Sequence, residues 1–488
     1  MASREIGEQK TLARRCESPI NGQHKRNSRP AIIFVASQTD VFLGIASLVS
    51  VLKQRGHAVD VMPLEYSALS QRISRAAGPV LLGISLSIRY VPQALALLKK
   101  LKKRHRFISI LGGAQPSAAP EIIEEDGVDA VCLGEGEGAI VELAEALAEN
   151  RSYERVQNLW VKTESGTICK NRVRPPIADL DGLPFPDREL WAKSPFFNPN
   201  PMPMMASRGC MFACRYCQQS YYNNVLYAEY PTRVRRRSVE NVIQEIKEYR
   251  QRVRLRYVRF EDSVFISSLE WTKEFCQAYQ KHIGLPFACN IRPELLTRDC
   301  ATWLARAGCR WISMGIETAH PRLREKILGR RMTTEQIISA ARIIRSSGMR
   351  LRATNIIGMQ REGLDRDRQT LLLNQRCGVE LAQAFPLSIL PATDLARCNK
   401  KRSVRRPFFQ RLRVRNLRAL FGIAVEWPAL EPLLRVAVLL PLTFLYDIIW
   451  LLWEVYCQNV RLWPITPGDV ERKCVRFMRR CTEWRGIR

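Results

Sequence analysis

The chain has 488 residues, too many for one ordinary domain, so two or three are expected. Hydrophobic residues make up 46% and charged residues 25%, which excludes a disordered chain and predicts an ample core. The net charge of +29 favours anionic partners, and fifteen cysteines behind no apolar leader point to free or metal-bound thiols in a reducing, cytoplasmic setting.

Residues 1–29 hold seven Lys/Arg and three Glu and read as a disordered basic tail. Ala31–Ala36 is a continuous apolar run of buried-strand type. A helical pattern over Leu43–Arg55 stops at Gly56. Strands are predicted over Ala58–Met62, Val80–Ser85, Phe107–Leu111 and Ala130–Leu133, with a helix over Gln93–Lys103. This alternation predicts right-handed βαβ units, and so a Rossmann-like parallel sheet over residues 30–150. Ligands of such sheets sit beyond the carboxyl ends of the strands. Ser85, Ser87, Gly112, Gly113, Gly134 and Glu135 fall there and are the candidate ligand-binding residues.

Residues 151–195 read as a linker with a small hairpin, Val156–Lys162 and Thr167–Val173, followed by helix-breaking prolines at 175, 176, 184 and 186. Strands and helices alternate again over 196–398. Near the start of that stretch, Cys210, Cys214 and Cys217 form C-x3-C-x2-C in a loop after a predicted strand. Three thiolates on one short loop can hold an iron–sulfur cube and leave one iron open. Zinc and three unliganded thiols are the competing readings. Zinc sites usually pair two close ligands with a distant pair, and none of the five His lies near this loop.

With Tyr216 before the last cysteine, the loop resembles that of the radical S-adenosylmethionine superfamily, whose hallmark is C-x3-C-x-(aromatic)-C. The resemblance implies a partial (β/α)6 TIM-type barrel carrying a [4Fe-4S] cluster at the carboxyl ends of its strands. The open iron would chelate S-adenosylmethionine, and an external donor of flavodoxin or ferredoxin type would supply the electron that releases a 5′-deoxyadenosyl radical. Glu261-Asp262, Asn290-Ile291-Arg292, Gly315-Ile316-Glu317-Thr318 and Asn355–Met359 are similar to the family's successive strand ends. This implies cofactor-binding roles for Tyr216, Asp262, Arg292 and Glu317. Two departures stand out. Gln360-Arg361-Glu362 replaces the usual Pro-Gly-Glu, and Pro391-Ala392-Thr393 lacks the glycine of the family's last-strand Pro-Gly-Thr.

Residues 30–150 resemble the cobalamin-binding domain that precedes many such barrels, through Gly56-His57, Gly83-Ile84-Ser85, Gly112–Ser117 and Gly134–Glu137. The motif that supplies an axial histidine is absent, so His57 reads as structural. The pairing implies methyl transfer to an unactivated carbon of a small-molecule or lipid-like substrate, with radical oxidative cyclisation or rearrangement as the alternative. A reading of another class is an iron–sulfur RNA-binding or regulatory protein, for which only the charge speaks; nucleic acid is the weaker partner. Cys16, Cys132 and Cys169 are too scattered to form the second cysteine trio of the RNA methylthiotransferases. Cys276, Cys289, Cys300 and Cys309 read as packing residues, while Cys377 and Cys398 near the barrel's end leave a catalytic thiol open.

Residues 399–488 read as a basic, helical, apolar region, with seven Lys/Arg and no acid over 401–415. Val436–Trp453 is eighteen residues long, near the lower limit for a membrane span. Pro441 and Asp447 speak against spanning, since a mid-bilayer Asp costs on the order of 3 kcal/mol. The first reading is a buried helix capping the barrel. The second is an anchor at the inner membrane face, with 401–415 on anionic lipid and Trp450, Trp453 and Trp463 at the headgroups.

Overall fold

The structure is a computed structural model that describes residues 29–36, 43–189, 200–230, 233–359, 364–398 and 408–456. Nearly all of the basic tail, the Gln360–Glu362 loop, residues 401–407 and Trp463 therefore lie outside the described residues. The chain divides into two compact units, one of residues 1–177 with 183–190, the other of 178–182 with 191–488.

The first unit alternates β1 (Ala31–Val35), α1 (Leu43–Gln54), β2 (Val59–Met62), α2 (Tyr66–Ser74), β3 (Val80–Ser85), α3 (Val91–Lys102), β4 (Ile108–Gly112), α4 (Ala114–Ala118), β5 (Ala130–Cys132) and α5 (Glu137–Ala148). The strands pair in parallel in the order β2-β1-β3-β4-β5. Helices on both faces explain why β1 and β3 read as unbroken apolar runs rather than as alternating ones. The hairpin expected in the linker does form, as β6 (Leu159–Lys162) and β7 (Ile168–Lys170). It belongs to this sheet, adding β6 antiparallel to β5 with Val131 opposite Trp160. The short strand β5 would otherwise leave its backbone groups on an open edge. His57 is buried just before β2, at the amino edge of the sheet and opposite the ligand edge, in keeping with a structural role.

In the second unit β8 (Met202–Met204), β11 (Val258–Phe260), β12 (Phe287–Ile291), β13 (Cys309–Glu317), β14 (Arg350–Ile357) and β15 (Leu381–Pro386) form one parallel sheet in sequence order. Helices α6 (Gln218–Tyr221), α7 (Val239–Arg252), α8 (Leu269–His282), α9 (Arg298–Arg306), α10 (Thr334–Ser346) and α11 (Asp365–Arg376) return the chain between strands. This is the six-stranded partial barrel. Its core centres on Phe260, Phe265, Phe275 and Phe287, with Phe260 and Phe265 centroids 4.7 Å apart. Cys276, Cys289, Cys300 and Cys309 are buried in that core, and burial pushes the Cys300 thiol up to about 12. They pack, as their sequence context suggests.

After β15 the lost glycine leaves a mark. Ala392 has φ +59°, in the left-handed region where a Cβ costs about 1–2 kcal/mol. Glycine's extra chain entropy costs about 0.5–1 kcal/mol. Ala392→Gly is therefore expected to stabilise the barrel by about 0.5–1 kcal/mol, read as a higher urea midpoint of the cofactor-free protein.

The apolar run at 436–453 is not one helix. Following α12 (Asp394–Cys398), the chain forms α13 (Phe408–Glu426), α14 (Glu431–Ala437) and α15 (Thr443–Tyr456), and the turn holding Pro441 separates the last two. Proline removes a backbone donor and clashes with the preceding turn, so the run breaks there. The barrel-capping reading holds for the end of α15. Trp453 is buried against Ala288, Trp311 and Leu381, all at the amino ends of barrel strands, with Tyr257 and Tyr456 around it. It is thus not a headgroup residue, and Trp450 lies under the Arg418 guanidinium, 3.9 Å from the ring centre. Among the described residues no helix is long and apolar enough to cross a membrane.

Candidate active site

The cysteine loop begins where β8 gives way to β9 (Ser207–Gly209), which pairs antiparallel with β10 (Val234–Arg236). Gly209 has φ +95°, and a Cβ there would overlap the Arg233 carbonyl oxygen. Only glycine fits before Cys210. The loop is then pinned from several sides. Asn223 Nδ2 donates to the Cys210 carbonyl at 2.6 Å, the Cys217 N–H donates to the Cys214 carbonyl at 3.0 Å, and the Arg215 N–H donates to the Leu328 carbonyl at 2.9 Å. Single π-turns flank it, at Tyr222–Leu226 and Leu323–Ile327, a feature common beside functional sites.

Burial pushes the Cys210 thiol up and the Cys217 thiol to about 11, so a metal would have to displace their protons. Arg292 NH1 lies 3.0 Å from Cys214 Sγ, while its guanidinium covers the Phe212 ring at 3.8 Å. Among the described residues no three His, Cys, Asp or Glu side chains converge on a single-ion site, the motif cysteines included.

Facing the loop is a buried polar trio. Tyr216 OH donates to Glu317 Oε1 at 3.0 Å, and Arg330 NH1 lies 3.2 Å from the same oxygen and 3.1 Å from the Tyr216 hydroxyl. Arg330 NH2 donates to the Gly315 carbonyl at 2.7 Å. Burial raises the pKa of Glu317, and the Arg330 charge and the Tyr216 hydroxyl oppose it. Glu317 itself holds φ +61° at the end of β13, where the register with β14 shifts. A non-glycine residue in this conformation at a strand end is a mark of a functional site.

At the carboxyl edge of the first unit's sheet, Ser85 ends β3, Gly112 ends β4 and Gly134 follows β5. A Cβ on Gly113, which has φ +95°, would meet Ser85 Oγ at 2.9 Å and the Leu86 nitrogen at 3.2 Å. Ser117 joins the two glycine turns, donating to the Gly113 carbonyl at 2.8 Å and accepting from the Gly134 N–H at 3.0 Å. The edge is small, polar and held open.

Residues 32–144 match the B12 binding domain, and residues 204–373 match the radical SAM superfamily. This chain is a cobalamin-dependent radical S-adenosylmethionine enzyme. The enzyme is 26% identical over 378 residues to an uncharacterised methyltransferase of Pyrococcus horikoshii, covering 75% of this chain and 80% of that one. It is 24% identical over 301 residues to the anaerobic magnesium-protoporphyrin IX monomethyl ester cyclase of Rubrivivax gelatinosus, covering 59% of this chain and 52% of that one. The match thus spans about half of the cyclase. Among solved structures it shares its fold with TsrM, a radical S-adenosylmethionine methyltransferase of Kitasatospora setae bound to tryptophan substrate and an S-adenosylmethionine analogue. That similarity has a TM-score of 0.63 at 18% identity and covers 77% of this chain and 78% of TsrM.

The residues of this enzyme fit its three cofactors unequally. Cys210, Cys214 and Cys217 share one loop, and Tyr216, Glu317 and Arg292 gather against it, as the sequence suggests. Arg330 was not foreseen; nothing in Gly329-Arg330-Arg331 marks it, and only its burial and pairing do. Asp262 departs from its expected role. Its carboxylate accepts the Ala206 N–H at 3.1 Å and the Ser207 hydroxyl, both oxygens are engaged, and burial pushes its pKa to about 6. It braces the corner between β8 and β9. Glu135 differs likewise: Oε2 accepts the Ile177 N–H at 2.7 Å, which ties the end of the first unit to its sheet. The Cys377 thiol is buried in the barrel core and burial pushes it up to about 11, which suits packing rather than nucleophilic attack.

Proposed function

We propose that the enzyme methylates an unactivated carbon of a small-molecule or lipid-like substrate. When bound, S-adenosylmethionine on the cluster supplies a 5′-deoxyadenosyl radical and cobalamin supplies the methyl group. Cys210, Cys214 and Cys217 would hold the cluster as thiolates, with the Arg292 guanidinium offsetting charge at Cys214. Glu317 would accept from the amino group of S-adenosylmethionine, and the Arg330 charge opposes the effect of burial on that carboxylate and orients it. Tyr216 fixes the same carboxylate from the loop side. Ser85, Gly112, Gly113 and Gly134 would receive the corrin at the open sheet edge. The external electron donor, of flavodoxin or ferredoxin type, would approach the cavity of about 860 Å³ beside the loop, where Arg215, Arg292, Lys326 and Arg331 outnumber Glu294 and Glu325. The enzyme would act in the cytoplasm, at the inner membrane face.

The observation that carries this reading is the cysteine loop, bent by Gly209, which sets Cys210, Cys214 and Cys217 within eight residues with Arg292 beside Cys214. The methyltransferase relative favours methyl transfer, and the cyclase relative keeps oxidative cyclisation as the second reading. Anaerobic reconstitution with iron, sulfide, cobalamin and reductant separates the two. Methyl transfer predicts S-adenosylhomocysteine together with 5′-deoxyadenosine. Cyclisation predicts 5′-deoxyadenosine alone, with a product that loses hydrogens or gains oxygen. Zinc in place of iron and sulfide would overturn both.

A further inference from the structure

Among the described residues, twelve of the nineteen large hydrophobic side chains that stand exposed lie within residues 408–456. Phe409 is 71% exposed, Val436 65%, Leu433 64% and Phe444 62%. Phe409 opens α13, Leu433 and Val436 lie on α14, and Phe444 opens α15. α13 and α15 run side by side, with Arg415 Nε donating to Asp447 Oδ1 at 3.0 Å and Arg418 over Trp450. That offset sets Phe444 and Leu445 level with Leu412 and Arg413. Asn416 Nδ2 donates to the Val438 and Leu440 carbonyls at 3.1 and 2.9 Å, which holds the Pro441 turn and the end of α14 against the same stretch of α13. A cluster of this kind on a soluble surface marks an interaction site.

Charge says what covers it. Arg411 and Arg413 are exposed on α13 and make no ion pair among the described residues. The nearby carboxylates are engaged, Glu431 with Arg368 and Asp447 with Arg415. The face is therefore apolar with a cationic border at Arg411 and Arg413. A second copy docked by a two-fold axis would bring these arginines against their own kind. Two helices of seven and fourteen residues interrupted by Pro441 are too short to cross a bilayer, yet suit its surface.

We propose that α14, the Pro441 turn and the first turn of α15 insert at the headgroup–acyl boundary of an anionic membrane, with Arg411 and Arg413 on the lipid phosphates. This deepens the membrane-surface part of the proposed function and is independent of the reaction catalysed. The test is flotation of the full-length reconstituted enzyme with vesicles of phosphatidylcholine and phosphatidylglycerol, against phosphatidylcholine alone. The expected result is salt-sensitive binding to the anionic vesicles. Arg411→Glu with Arg413→Glu should weaken it about tenfold or more. Leu433→Ser with Val436→Ser and Phe444→Ser should weaken it about 100-fold. All five side chains are exposed, so intact cluster absorbance and unchanged sedimentation of the variants confirm folding. Unaltered vesicle binding by both variants would overturn the proposal. So would a wild-type dimer, dispersed by the triple serine variant, that ignores vesicles and identifies the face as an interface between copies. Flotation needs no turnover, so its failure leaves methyl transfer standing, and a missing S-adenosylhomocysteine signal leaves the membrane face standing.

Discussion

Cys214→Ala is expected to abolish both the iron–sulfur absorbance and the formation of 5′-deoxyadenosine. Cys214 is the most buried of the three motif cysteines and the one whose sulfur faces Arg292 at 3.0 Å. Its loss leaves two thiols of the C-x3-C-x2-C loop, and a buried guanidinium without its sulfur. Activity should fall by about 1,000-fold or more, since the radical chemistry belongs to the cluster and not to the side chains. Bound corrinoid should survive, because the residues proposed to receive it lie in the other unit. Cys276→Ala, in the core behind the barrel strands, is the control and should keep iron, sulfide and activity. Full iron and sulfide content in Cys214→Ala would remove this loop from the active site.

Glu317→Gln is expected to damage stability and cofactor binding together. The change keeps the shape of the side chain and removes its charge, so the buried Arg330 guanidinium loses its one ionic partner among the described residues. Breaking one side of a buried pair typically costs about 3–5 kcal/mol. The cofactor-free variant should therefore unfold at a clearly lower urea concentration, and reconstituted enzyme should bind S-adenosylmethionine at least about tenfold more weakly by calorimetry. Glu317→Gln combined with Arg330→Met separates the two effects. Removing both charges should restore much of the stability and none of the S-adenosylmethionine binding. Recovery of binding in the double variant would reduce the trio to a purely structural role.

The parts of the site that are legible in the sequence are those whose chemistry is local. Three cysteines within eight residues must share a loop, and the glycine before them marks the bend. The strands β1 and β3 are legible because each is an apolar run with both faces covered, whereas β14, Arg350–Ile357, opens with alternating polar and apolar residues. The hairpin at 159–170 was visible as a hairpin but not as the edge of the first sheet, because pairing partners in antiparallel addition leave no pattern in either strand. Asp262 and Glu135 stand at strand ends where a cofactor could be met, yet their carboxylates turn to backbone N–H groups nearby. A buried carboxylate takes whichever donors the fold supplies, and those donors are remote in sequence.

Sequence alone thus determined the cysteine loop, the two α/β units and their order, through ligand spacing and hydrophobic period, both of which act over a few residues. Only the tertiary structure decided that Arg330 pairs with Glu317, that Trp453 closes the amino end of the barrel while its neighbours stand bare, and that one eighteen-residue apolar run serves two surfaces. Those outcomes depend on which distant groups each side chain finds when its own surroundings exclude water. Burial is a property of the assembled fold, and a linear pattern carries no record of it.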